Sequence, residues 1–304
     1  MIYIMQNILV YTISPFDFKC GGLVVQYQLC KIIDSLGINI RIHSPKKIAN
    51  SIFSKYYNNE FDINNSIVIY GETIEGNPLN ATYVIRWILA PLGICSDKNI
   101  FKTWGKNDII YYFNSEEKIA NNPDKLGNLY KILNVIYINP IAINNNLKSR
   151  AGTCFTIRKS HIHKKLELVH PRNSFEITRE HSQIKCINIF NQHKYFISYD
   201  PLTFLIVIAA LCGCISIVKK VDGLSKQEWL DITGAAEYLK ETGETLYGIA
   251  YGADDLQNAI NTIHLVKQQW NKIVKYSENK YVLAFINDIN NWNNNINTLE
   301  SNFF

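Results

Sequence analysis

Between Phe204 and Val218 the chain reads FLIVIAALCGCISIV, an apolar run interrupted by Gly213 and Ser216. It is shorter than the ~20 residues that span a bilayer, so it belongs in a protein interior. Its punctuation divides it. Asp200 and Pro201 are helix-starting residues, Cys212-Gly213 is a stop, and the β-branched segment that follows reads as a strand. The pattern predicts a helix over 201–212 and a strand over 214–218. A strand that runs apolar rather than alternating is covered on both faces, as in a parallel sheet between helical layers. Ser198, Tyr199, Asp200 and Thr203 then fall where the preceding strand ends and the helix begins. That is the edge of an open α/β sheet at which ligands bind.

The rest of the chain has the same rhythm. NILVYTI (7–13), INIRIHS (38–44), SIVIYGE (66–72), DIIYYFN (108–114) and NVIYINP (134–140) read as strands. LVVQYQLCKIIDSLG (23–37) and LNATYVIRWILAPLG (79–93) read as helices closed by glycine. After an Asn-rich linker at 139–152, a second series contains CFTIRKS (154–160), LELVHP (166–171), FEIT (175–178), IKCINIFNQHKYFISYD (184–200) and ETLYGIAYG (244–252). A helix over about 254–276 and a weaker amphipathic segment follow. The expected fold is α/β, with two Rossmann-like domains, 1–146 and 147–304, whose parallel sheets face a cleft. The C-terminal helix is expected to pack back on the first domain.

A chain of 304 residues with 47% hydrophobic and 19% charged residues is not a disordered one. Its net charge of +5 suits a small polyanion such as a nucleotide, or simply a solvated surface. Basic and aromatic residues do not interleave as a single-stranded nucleic-acid platform requires, so no nucleic-acid partner is expected. The N-terminal MIYIMQNILVYTI lacks a basic n-region and a cleavage site and reads as the first strand. No transmembrane segment and a cytoplasmic location are therefore expected. Seven cysteines without a CxxC pair read as reduced thiols, with no zinc site.

Four places hold residue types suited to chemistry. FDFKCGG sets Gly21 and Gly22 between a strand and a helix, where the backbone can approach a ligand and the helix offers free N–H donors, although a tight turn also uses such a pair. Arg158 and Lys159 close a strand in TIRKSHIHKK and can grip a diphosphate, or form a solvated basic loop. His161 and His163 lack a third ligand at metal spacing. Glu72, at the end of the third strand, and Asp17, in the first loop, are candidate proton acceptors. Asp200 is either a helix cap or an acceptor for ligand hydroxyls. The spacing GxGxxG is absent, so no nicotinamide or flavin cofactor is expected. D-x-D is absent too, so no divalent metal is expected.

GETIEGNPLNATYVIRWILAPLG (71–93), CFTIRK (154–159), LVHPRNS (168–174) and FISYDPLTFLIVIAALCGCISIV (196–218), in this order, resemble a family of GT-B type glycosyltransferases of bacteria and large DNA viruses. The resemblance runs from Gly21 to about Trp229. It implies a nucleotide-sugar donor held mainly by the C-terminal domain and a glycan or glycoconjugate acceptor on the N-terminal one. Gly21, Gly22, Arg158, Lys159, His170, Ser198, Tyr199, Asp200 and Thr203 would serve the donor, and Asn77 and Arg86 the acceptor side. Asp200 aligns with the first carboxylate of the E-x7-E signature, and Ile208 stands where the second would be, leaving Tyr199 or Thr203 for the ribose. Asn173 stands in VHPRNS where an acidic residue is expected. The implied function is metal-independent transfer of a sugar from a nucleoside-diphosphate sugar to an acceptor hydroxyl. A nucleotide-sugar epimerase of the same fold and a catalytically silent sugar-nucleotide or glycan-binding module are the alternatives.

Overall fold

The computed structural model describes residues 7–46, 54–57, 61–114, 131–147, 149–157 and 166–291. The chain forms two compact units, Met1–Tyr137 with Tyr276–Phe304, and Ile138–Lys275.

Among the described residues the first unit is built on a six-stranded sheet: β1 (Asn7–Tyr11), β2 (Ile40–His43), β3 (Ser66–Gly71), β4 (Tyr83–Ile88), β5 (Ile109–Tyr112) and β6 (Lys131–Ile132), in the order β2-β1-β3-β4-β5-β6. All neighbours are parallel. Burial of both faces explains why β1 after Asn7 and β3 after Ser66 carry successive apolar residues. Ile8, Val10, Ile67 and Ile69 meet Tyr27, Cys30 and Ile33 of α1 (Gly21–Ser35), while Leu9, Val68 and Tyr70 pack with Ile74, Ala81 and Val84.

Two expectations are corrected here. LNATYVIRWILAPLG is no helix: its YVIRWI core is β4, whose aromatic and β-branched residues suit a central strand paired with β3 and β5. NVIYINP forms no strand; β-pairing ends at Ile132, although Leu133 and Val135 are buried. The chain from Tyr276 onward belongs to this unit, where Val282, Phe285 and Ile289 join the core. Phe285 meets the Tyr111 ring edge-on at 5.0 Å, and the Tyr111 hydroxyl donates to Asp288 at 2.9 Å.

The described sheet of the second unit has the order β11-β10-β9-β7-β8, again all parallel: β7 (Thr153–Thr156), β8 (Phe175–Glu176), β9 (Tyr195–Ser198), β10 (Ile215–Val218) and β11 (Ile249–Tyr251). LELVHP, part of the second series, lies outside the sheet. The helix α2 (Gln183–Gln192) leads into β9, and α3 (Leu205–Leu211) leads into β10. Helix α3 starts later than residue 201, because Asp200-Pro201-Leu202 forms a turn held by the Asp200 side chain. From Ile206 to Leu211 α3 is buried, and Gly213 reverses the chain at φ +81°. A Cβ there would lie 2.5 Å from the Asn144 amide, so glycine is required on two counts. Ser216, the polar residue inside β10, donates to the Ile206 carbonyl at 2.7 Å, which satisfies its buried hydroxyl.

The cysteines Cys20, Cys30, Cys95, Cys154, Cys186, Cys212 and Cys214 are all free thiols. Among the described residues no helix is long and apolar enough to cross a membrane.

Candidate functional site

In the second unit the carboxyl ends of three strands are laced together: Tyr199 N–H donates to Thr156 O at 3.1 Å and Lys219 N–H to Ser198 O at 2.8 Å. This lacing brings Ser198, Tyr199, Asp200 and His170 to one edge. The Ser198 hydroxyl donates to the Asp200 carbonyl (2.7 Å) and accepts from the Asp200 N–H (3.2 Å). The Asp200 carboxylate accepts from Leu202 N–H at 3.0 Å, and the residue is 3% exposed. Thr203 Oγ1 accepts from Leu205 N–H at 3.4 Å, so Thr203, not Asp200, stands at the entrance of α3.

Tyr199 is fully buried, and its hydroxyl accepts from the backbone N–H of Val169 (2.7 Å) and of His170 (3.3 Å) while meeting His170 Nδ1 at 2.9 Å. The imidazole lies flat on Phe155, with centroids 3.5 Å apart and planes 12° from parallel. Lys219 adds a cation beside the same edge, 3.6 Å from Glu167. Arg158 and Lys159, expected to grip a diphosphate, lie outside the described residues, as do His161 and His163.

In the first unit Glu72 follows β3 directly. It is 5% exposed and accepts from Leu89 N–H at 3.1 Å, just past β4. Burial raises its pKa above the ordinary carboxyl range, an effect that the Leu89 N–H only partly offsets. The first turns of α1 lie close above. A Cβ on Gly22 would be 3.4 Å from the Leu89 side chain, and one on Gly71 would be 3.1 Å from Gln26 Nε2. The α1 N-cap, Cys20, makes no side-chain cap bond, and the first turn holds no acidic residue. Gly22 and Glu72 thus both lie against Leu89. Asp17 is exposed and fixes the preceding loop, its carboxylate accepting Lys19 N–H at 2.8 Å and its carbonyl Cys20 N–H at 3.1 Å.

Of the two residues expected on the acceptor side, Arg86 is enclosed and Asn77 is half-buried in a turn. Arg86 has no exposed surface: Nε donates to Asp108 at 2.7 Å, Nη1 to Ile74 O at 3.2 Å and Nη2 to Gly76 O, and the guanidinium lies over Tyr70 and Trp104. A side chain so enclosed braces the 74–76 loop and offers nothing to an acceptor. Asn77 accepts from the Tyr70 hydroxyl (2.9 Å) and Ala81 N–H (3.0 Å) and donates to Ala81 O (2.8 Å), which closes the next turn.

Sequence reasoning missed three contributors. Phe155 is the platform for His170, Leu89 supplies the N–H that meets Glu72, and Trp229 donates Nε1–H to Pro201 O at 2.8 Å, holding the Asp200 turn from beneath. It also missed a pocket of about 190 Å³ at the ends of β10 and β11, where Lys220 pairs with Asp254 (2.8 Å) and Lys226 with Asp255 (2.7 Å). These partners are 34 and 29 residues apart, and no local spacing signals them.

Among the described residues no group of three or more His, Cys, Asp or Glu side chains is placed to hold a metal ion. No protein-family model matches the chain, and no curated protein matches it significantly.

Proposed function

We infer that the chain is a glycosyltransferase of the GT-B type that moves a sugar from a nucleoside-diphosphate sugar to an acceptor hydroxyl without a divalent metal. The observation that supports this reading most is chemical division between two parallel-sheet units. One has a buried carboxyl of raised basicity and a helix start without a side-chain cap. The other gathers a carboxylate, a stacked imidazole and a cation at its sheet edge. Such edges are where open α/β sheets take ligands.

In this reading the second unit holds the donor. Arg158 and Lys159 neutralise the charge that grows on the leaving diphosphate. In the first unit Gly21 and Gly22 offer backbone N–H groups to an anionic group. Asp200 accepts hydrogen bonds from donor hydroxyls, and Ser198, Tyr199 and Thr203 shape the turn that presents it. In an inverting transfer Glu72 takes the proton of the acceptor hydroxyl as that oxygen bonds to the anomeric carbon. The bond from that carbon to the diphosphate oxygen breaks, and the electron pair leaves with the diphosphate. The acceptor is a glycan or other glycoconjugate on the first unit.

Calorimetric titration with UDP, GDP and dTDP tests the donor half. Binding of one of them, weakened about tenfold or more in Arg158→Ala, is the expected result, since a charge-assisted hydrogen bond is worth about 1.5–3 kcal/mol. Equal affinity of the variant removes Arg158 from the phosphate site.

A further inference from the structure

The pocket of about 190 Å³ at the ends of β10 and β11 has a fixed wall and an electrically balanced lining. Tyr251 closes β11. Its ring stacks on the buried Trp229, with centroids 4.9 Å apart and planes 13° from parallel. Its hydroxyl donates to Leu224 O at 2.8 Å and accepts from Val221 N–H at 3.1 Å. Asp255 is held as firmly: one carboxylate oxygen accepts Tyr251 N–H at 3.0 Å and the other accepts from Lys226 Nζ at 2.7 Å. Lys220 crosses Gly252, whose φ of +87° and lack of a Cβ leave room for the lysine stem, and pairs with Asp254 at 2.8 Å. The Lys220 hydrogen bond first, and the Lys226 charge in addition, hold the Asp254 carboxyl below its ordinary range, so both cations act on it.

Two lysines and two aspartates therefore line one cavity with no net charge. A simple anion would gain the lysines but face the aspartates, and a simple cation the reverse. A molecule that carries both charges satisfies both. Each lysine ammonium has three N–H donors, more than its aspartate uses, which leaves donors for a ligand carboxylate. The Lys220 and Asp254 side chains are 49% and 72% exposed, so their pairing is weak in water and yields to a ligand that replaces it. The volume exceeds the ~150 Å³ that admits a benzene ring and suits a molecule of about seven to ten non-hydrogen atoms. Leu224 lies beside Tyr251 as an apolar contact for a short side chain.

We propose that this pocket is a binding site for a free α-amino acid, whose carboxylate meets Lys220 and Lys226 and whose ammonium meets Asp254 and Asp255. The site shares no residue with the Asp200 edge, and its assignment does not depend on the glycosyltransferase reading.

The test is calorimetric and NMR titration of the full chain with L-valine and L-serine. The controls are 3-methylbutanoate, which is valine without its ammonium, and 2-methylpropylamine, which is valine without its carboxylate. The Leu224 methyl signals of leucine-labelled protein, assigned through Leu224→Met, report the location. The expected result is saturable binding of at least one of the two amino acids, with the Leu224 methyls shifting along the titration. Both single-charge analogues bind about tenfold more weakly or worse, as loss of a charge-assisted hydrogen bond requires. Lys220→Met and Asp254→Asn each weaken the amino acid about tenfold or more, yet move the melting temperature by less than about 3 °C, because the pair they break is exposed.

No saturation by either amino acid up to about 10 mM overturns the site. An analogue that binds as tightly as the amino acid makes the pocket a plain anion or cation site and overturns the assignment. Binding that leaves the Leu224 methyls unmoved, or that survives both Lys220→Met and Asp254→Asn, lies elsewhere on the chain and overturns it as well. Should either variant not fold, the analogue series and the Leu224 signals of the otherwise unaltered chain still decide.

Discussion

Asp200 and Glu72 can each be tested by a substitution that keeps shape and removes charge. Asn at position 200 retains the oxygen that accepts Leu202 N–H, so the turn survives and the melting temperature should stay nearly unchanged. If the carboxylate also receives donor hydroxyls, Asp200→Asn lowers kcat/KM about ten- to a hundredfold, or 1.5–3 kcal/mol. Unaltered turnover reduces Asp200 to a turn former. For Glu72 the expected signs are opposite for stability and activity. Its folded-state pKa is raised by burial, so the native chain holds this proton more firmly than the unfolded one. The contribution to stability is therefore full below the ordinary carboxyl range and is lost as pH rises through the raised value. Glu72→Gln abolishes that loss. Its melting temperature should match or exceed the wild type at neutral pH, with a gap that opens as pH rises, while transfer falls about 10²–10⁴-fold. A Gln variant that melts lower at neutral pH, or that remains active, contradicts this account.

At the scale of elements, two glycines separate folding from binding. Gly213 has φ +81° and stands against Asn144, so Gly213→Ala should cost more than about 1 kcal/mol, read as a lower urea midpoint. Gly21 opens α1 into space with nothing within 4 Å of an added Cβ, so Gly21→Ala should be neutral or stabilising by up to about 1 kcal/mol. A fall in nucleotide affinity in that variant marks the loop as a phosphate cradle; unchanged affinity leaves it a tight turn. Strands β1, β3, β5, β7 and β10 were legible because β-branched runs end at turn residues. β4 was not. Its apolar residues also fit a helical stripe, and only pairing with β3 and β5 decides between the two. Likewise the Asp200 edge could be read from the strand-to-helix junction. The His170–Tyr199 bond joins residues 29 apart, and the burial of Arg86 depends on Asp108, 22 residues on. Neither leaves a trace in local spacing.

At the scale of the molecule, the last described helix belongs to the core of the first unit. Phe285 is 1% exposed and packs on Tyr111, so Phe285→Ala should cost about 3–5 kcal/mol of that unit's stability, seen as an earlier unfolding transition. A variant with an unchanged transition would mean that this helix is dispensable to the first unit. The central claim is a metal-independent sugar transfer, and donor turnover tests it most directly. The full chain is incubated with UDP-, GDP- and dTDP-sugars in the presence of EDTA, and nucleoside diphosphate release is followed with the sugar product. The account predicts release from one donor class, undiminished by chelation and lost in Glu72→Gln and Asp200→Asn. No release from any donor, release that requires added manganese or magnesium, or an epimerised nucleotide sugar without release would contradict it.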